Sequence, residues 1–110
     1  MALPFDQLDG VIWYDGHFVP WKDAKVHVLT HGLHYGSCVF EGQRAYGGVV
    51  FKQTEHHERL HNSAEILGFK LPYSVDELNR ACEELLVRMG LVDAYVRPVA
   101  WRGSEMMGVS

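Results

Sequence analysis

Apolar and polar positions alternate in short blocks at the start of the chain. Val11-Ile12-Trp13-Tyr14 and His17-Phe18-Val19 flank Asp15-Gly16, a dipeptide that supplies the positive φ angles of a two-residue turn, so the spacing predicts a β-hairpin. After Pro20, Lys25 to Leu29 alternates weakly and reads as another strand or an extended arm. Thr30 to Gly42 holds three glycines and two histidines before Val39-Phe40, the composition of a loop closing onto a core strand or short helix. Arg44-Ala45-Tyr46 and Val49-Val50-Phe51 enclose Gly47-Gly48, a second hairpin signal.

The period then changes. From Thr54, a plausible N-cap, Leu60, Ala64 and Leu67 recur at helical spacing until Gly68. Pro72 breaks the chain, and Ser74 with Glu77 forms a capping box ahead of Leu78, Cys82, Leu85 and Met89, ending at Gly90. Ala94 to Trp101 alternates again. That phase puts Tyr95, Arg97, Val99 and Trp101 on one face of a strand fit for the core, although Pro98 forbids a full ladder there. The predicted fold is α+β, an antiparallel sheet from hairpins with two helices packed on it, and residues 1–110 form one domain.

Composition narrows the function. At 110 residues and 47% hydrophobic, the chain can bury one core. A net charge of -4 gives no uniform attraction to a polyanion, which argues against nucleic acid or an anionic membrane as partner. The N-terminus lacks the pattern of a secretory signal and no window is apolar for the roughly 20 residues of a membrane span. Only Cys38 and Cys82 occur, far apart, so neither a disulfide framework nor a paired-thiol zinc motif can be drawn, and a cytoplasmic location is expected.

Several residues invite chemical readings. His57-Glu58-Arg59-Leu60-His61 fits the H-E-x-x-H pattern of a zinc hydrolase, but both histidines fall beside the core-facing stripe, no third ligand is signalled, and a chance match is easy among seven histidines. Arg59 lies off that stripe, where its guanidinium could fork onto a phosphate or remain a solvated surface group. Arg97 sits between apolar neighbours, and a charge there wants an anionic partner, either a protein acid or a ligand carboxylate. His31-Gly-Leu-His34-Tyr35-Gly36 suits either a backbone that approaches a ligand closely or a glycine-rich turn.

Read together, Asp23-Ala-Lys-Val-His-Val28, His31-Gly-Leu-His-Tyr-Gly36, Val39-Phe-Glu-Gly-x-Arg44, His56-x-x-Arg59-Leu-x-x-Ser-Ala64, Ala94-Tyr-Val-Arg-Pro98 and Met107-Gly-Val109 resemble the N-terminal small domain of the branched-chain amino acid aminotransferases. These are class IV, fold-type IV enzymes of pyridoxal 5'-phosphate. The resemblance implies that Arg59 binds the cofactor phosphate. It implies that Tyr95 helps hold the substrate α-carboxylate, that Arg97 receives the side-chain carboxylate of glutamate, and that Phe40 lines the apolar pocket together with Tyr35 and Val109, which reach into a neighbouring subunit's site. It further implies leucine, isoleucine or valine and glutamate/2-oxoglutarate as substrates, and a homodimer or larger assembly.

In such enzymes the lysine that carries the cofactor lies in a larger C-terminal domain. Lys22, Lys25, Lys52 and Lys70 match no catalytic position, so no catalytic residue is expected in this stretch and the 110 residues alone should be inert. Two readings from other classes stand beside this one: a zinc-dependent hydrolase using His57, Glu58 and His61, and a non-enzymatic domain that persists on its own.

Overall fold

The computed structural model describes residues 3–104. Among them, seven strands and three α-helices follow in the order β1 (Val11–Tyr14), β2 (His17–Pro20), α1 (His31–Tyr35), β3 (Cys38–Phe40), β4 (Gln43–Tyr46), β5 (Val49–Val50), α2 (Gln53–Ile66), α3 (Val75–Met89), β6 (Ala94–Val96) and β7 (Val99–Trp101). The strand pairing is antiparallel, in three ladders: β1 with β2, β3 with β7, and β5-β4-β6. The α+β class expected from the sequence is the one observed.

Both hairpins form. In the first, Tyr14 faces His17 across a turn in which Asp15 and Gly16 both have positive φ (47° and 91°), the conformation that this dipeptide favours. In the second, Tyr46 pairs Val49 across Gly47 and Gly48, but β5 is only two residues long and Phe51 is already outside it. Lys25 to Leu29 is no strand. Residues 25–27 carry no regular structure and Val28-Leu29 form a turn closed by the Thr30 N–H on the His27 carbonyl at 3.0 Å, all of them exposed.

The two long helices differ in how well the sequence announces them. In α3, Ser74 accepts from the Glu77 N–H at 3.1 Å while the Glu77 carboxylate accepts from the Ser74 N–H at 3.1 Å, and Gly90 closes the other end with φ 67°. Its buried stripe is Leu78, Ala81, Cys82 and Leu86. In α2 the expected N-cap, Thr54, lies inside the helix, and the cap position is Lys52 in the left-handed region (φ 53°). The reason is topological: two residues separate β5 from α2, so the chain must reverse in one sharp turn, and Thr54 is left to accept from the Asn79 side chain at 3.1 Å. The buried stripe of α2 is His57, Leu60 and Ala64; Leu67, expected on it, is 42% exposed beyond the helix end.

The largest departure is at Ala94 to Trp101, which is two strands rather than one. Proline has no N–H to give and a fixed φ, so the ladder breaks at Pro98: β6 pairs β4 (Arg44 opposite Tyr95) and β7 pairs β3 (Phe40 opposite Val99). The alternation holds across the break, with Tyr95, Arg97 and Val99 together on the exposed side and Val96 pointing into the core. That core is Ala45, Val50, Cys82, Leu86 and Val96, closed by Ala94.

Ser74→Ala removes one of two reciprocal bonds and should cost about 1 kcal/mol of stability, whereas Thr54→Ser, which keeps the hydroxyl that accepts from Asn79 and has no capping bond to lose, should cost a few tenths. Urea denaturation of the two variants checks this; equal losses would contradict the capping assignment.

Candidate functional site

The connection between β3 and β4, Phe40-Glu41-Gly42, positions most of the candidate residues. Glu41 is only 4% exposed although it is an acid in the two-residue link between β3 and β4. Its backbone N–H donates to the Pro98 carbonyl at 3.0 Å, which holds the link alongside the β6–β7 break. Its side chain points toward α2, where His56 and Arg59 stand one helical turn apart on the same face. Arg59 Nε donates to Oε2 at 2.8 Å and Nη2 to Oε1 at 2.7 Å, a two-pronged fork, and His56 Nδ1 lies 2.7 Å from Oε1. An ionised carboxylate only accepts, so Nδ1 is the protonated nitrogen of His56.

The electrostatics follow from that arrangement. The Arg59 guanidinium holds the Glu41 carboxyl below its ordinary value of 4.5, burial works in the opposite direction, and the bond from His56 adds to the lowering. Reciprocally, Glu41 raises the already high value of Arg59. Arg59 remains open to solvent, with 67% of its side chain exposed.

A second cluster is built on Phe40, the residue before Glu41. The Arg97 guanidinium carbon sits 4.1 Å from the centroid of the Phe40 ring and 5.8 Å from that of Tyr95, and Arg97 Nε donates to the Tyr95 hydroxyl at 3.2 Å. Among the described residues no carboxylate pairs with it. A core arginine would demand a protein acid; Arg97 does without one among these residues because the strand's phase puts it outside the core. Phe40 and Tyr95 are about half exposed (54% and 52%), so the cluster is an aromatic surface carrying one cation. Gly42 permits it: a Cβ there would lie 2.8 Å from the Tyr95 hydroxyl oxygen and 3.2 Å from its ring. Glu41 and Gly42 carry no periodicity signal, and only the resemblance draws the eye to that tripeptide.

Tyr35 is placed separately. It ends α1, half-exposed, with its ring 4.5 Å from that of His31, which is buried and bonded through Nδ1 to the Ser37 hydroxyl at 2.7 Å. The close backbone approach expected of this glycine-rich segment is to the protein itself: the Gly32 N–H donates to the Arg102 carbonyl at 3.1 Å, and a Cβ on Gly32 would meet that of Trp101 at 3.1 Å. Val109, with Met107, lies outside the described residues.

The H-E-x-x-H match has a packing explanation. His57 is fully buried, with Nδ1 2.6 Å from the Asn79 amide oxygen and Nε2 3.7 Å from the Cys82 sulfur, so both ring nitrogens face partners on α3. Burial lowers the His57 value and pushes the Cys82 thiol up to about 11, which keeps both groups neutral. His61 Nε2 is buried without a hydrogen-bond partner, yet no group of three metal-ligating side chains occurs among the described residues. The pair His57–Cys82 ties α2 to α3 rather than opening toward a substrate.

Comparison with known proteins adds the following. The amino-transferase class IV family matches residues 38–110. A probable branched-chain-amino-acid aminotransferase of Rickettsia typhi is 48% identical over 98% of this chain and 38% of its own length. The branched-chain-amino-acid aminotransferase of Pseudomonas aeruginosa is 50% identical over 92% of this chain and 34% of its own. Among solved structures, the branched-chain amino acid aminotransferase from Escherichia coli superposes with a TM-score of 0.87 at 46% identity, over 92% of this chain and 36% of that one. The T.th. branched-chain enzyme complexed with N-(5'-phosphopyridoxyl)-L-glutamate gives 0.86 at 43%, over 91% and 35%. The chain thus spans little more than a third of the relatives it matches.

The contrast between the two thiols is directly measurable. At pH 8, exposed Cys38 should react rapidly with 5,5'-dithiobis(2-nitrobenzoate), and Cys82, buried and held protonated, should react only after unfolding. Two fast thiols in the folded chain would contradict the His57–Cys82 packing.

Proposed function

The chain belongs to the class IV aminotransferase family, and we propose that it is the N-terminal small domain of a pyridoxal-phosphate-dependent branched-chain amino acid transaminase. In this reading a larger C-terminal domain carries the catalytic lysine and the rest of the cofactor site, and the 110 residues alone are inactive. One observation carries the proposal: Arg97 lies across Phe40 and beside Tyr95 on an exposed aromatic surface, with no acid paired to it among the described residues. A pocket that must accept first an aliphatic side chain and then the distal carboxylate of glutamate needs an apolar wall next to one cation. Exposed apolar area of this kind marks a surface built to be covered, which favours a further domain over a free-standing one.

The residues divide the work. Phe40 offers its ring to leucine, isoleucine or valine, and Arg97 swings its fork onto the distal carboxylate of glutamate or 2-oxoglutarate. The Tyr95 hydroxyl donates to the α-carboxylate. Arg59 fits a phosphate, since it is solvent-facing and spends only two of its five N–H donors on Glu41. Pyridoxal phosphate, when bound, supplies the electron sink for proton removal at the substrate α-carbon. No lysine of this chain is assigned the proton-moving role: Lys22, Lys25, Lys52 and Lys70 are all exposed, and none stands beside Arg59 or Arg97 in the groups described above. Tyr35 and Val109 are assigned to the apolar pocket of a neighbouring subunit, which makes the complete enzyme a homodimer or larger assembly, and free cysteines suit a cytoplasmic location.

In the complete enzyme, Arg97→Leu should hurt the two half-reactions unequally. Losing a charge-assisted hydrogen bond costs about 1.5–3 kcal/mol, roughly ten- to a hundredfold in single-turnover specificity for glutamate, while leucine changes much less because an apolar replacement keeps its contacts. Equal losses on both substrates would remove Arg97 from the ligand.

A further inference from the structure

Arg59 poses a problem that its assignment to a phosphate does not solve. It is a long, exposed side chain on a helix surface, free in principle to sample many rotamers, whereas a phosphate receptor must present its donors at one place. A carboxylate next to an anion site also repels the anion. If attraction were all that mattered, a bare arginine would bind a phosphate dianion better than an arginine already neutralised by Glu41.

The position of Glu41 resolves this. Two oxygens of a buried carboxylate engage the Nε and Nη2 edge of Arg59, which fixes both the location and the plane of the guanidinium. Glu41 is in turn fixed from two other directions, by His56 Nδ1 at 2.7 Å and by its own N–H on the Pro98 carbonyl at 3.0 Å. Of the five N–H donors of Arg59, the fork consumes two and leaves three, both on Nη1 and one on Nη2, along the edges not occupied by Glu41. We propose that Glu41 is a positioning residue that gives up part of the charge attraction of Arg59 in exchange for a guanidinium oriented in advance to receive a phosphate monoester. The proposal rests on Arg59 being the phosphate ligand.

Orientation and attraction predict opposite signs, which makes the inference testable. Using the complete enzyme without cofactor, dissociation constants for pyridoxal phosphate and for pyridoxal, which lacks the phosphate, are measured for the wild type, Glu41→Gln, Glu41→Asp and Arg59→Ala, with melting temperatures alongside. The expected result for Glu41→Gln is a roughly tenfold fall in the preference for pyridoxal phosphate over pyridoxal, with pyridoxal itself bound as in the wild type. Glu41→Asp keeps the charge but withdraws it by one methylene, so it should lose preference too. A preference that rises or stays at the wild-type level in Glu41→Gln, or losses shared equally by both ligands along with a lower melting temperature, would overturn the positioning role. Should Glu41→Gln fail to fold, Glu41→Asp decides alone: a reduced preference supports the proposal and a wild-type preference overturns it. Arg59→Ala separates the two claims. If its preference collapses while that of the Glu41 variants does not, only the positioning role falls; if Arg59→Ala keeps the preference, the phosphate assignment falls first.

Discussion

A buried carboxylate must have its charge met by donors from elsewhere in the chain, and at Glu41 those donors are His56 and Arg59 on α2. The requirement fixes where α2 passes relative to the β3–β4 link, while the backbone bond from Glu41 to Pro98 holds that link against the break between β6 and β7. Phe40 precedes Glu41 and Gly42 follows it, so the aromatic surface carrying Tyr95 and Arg97 is built on the same link. The two candidate recognition groups, one for a phosphate and one for a substrate carboxylate, are therefore not independent features of the surface. Both are referred to one buried charge.

What the sequence reveals tracks how local each cause is. Asp15-Gly16 and the Ser74–Glu77 box act within four residues, and both elements form where those residues place them. The start of α2 differs from its sequence-based position because the deciding factor, a two-residue connection from β5, belongs to the neighbouring element, and it forces Lys52 into a backbone conformation that no side-chain preference announces. Pro98 is visible as an interruption, but that it hands the chain from one ladder to another depends on β3 and β4 lying on either side of Glu41. Glu41 is silent for the same reason: nothing near an acid between two strands tells of an arginine eighteen positions on.

The histidine motif shows the converse. His57-Glu58-x-x-His61 has the spacing of metal chemistry, yet the spacing also puts His57 on the helix stripe that packs against α3, and there Asn79 and Cys82 take its two nitrogens. Arg59, two residues along, reads from composition as an ordinary surface cation; the role proposed for it rests on the ordered set of motifs from Asp23 onward and on the fork it makes with Glu41. Burial and partners distinguish the two residues, and neither is written in a five-residue pattern.

In the proposed function these residues recognise and orient, and the lysine chemistry is supplied from outside them. Mixing the 110-residue chain with stoichiometric pyridoxal phosphate, reducing with borohydride and mapping the peptides tests it most directly. No stoichiometric label is expected on Lys22, Lys25, Lys52 or Lys70, all of which are exposed. Complete, site-specific labelling of any one of them would contradict it.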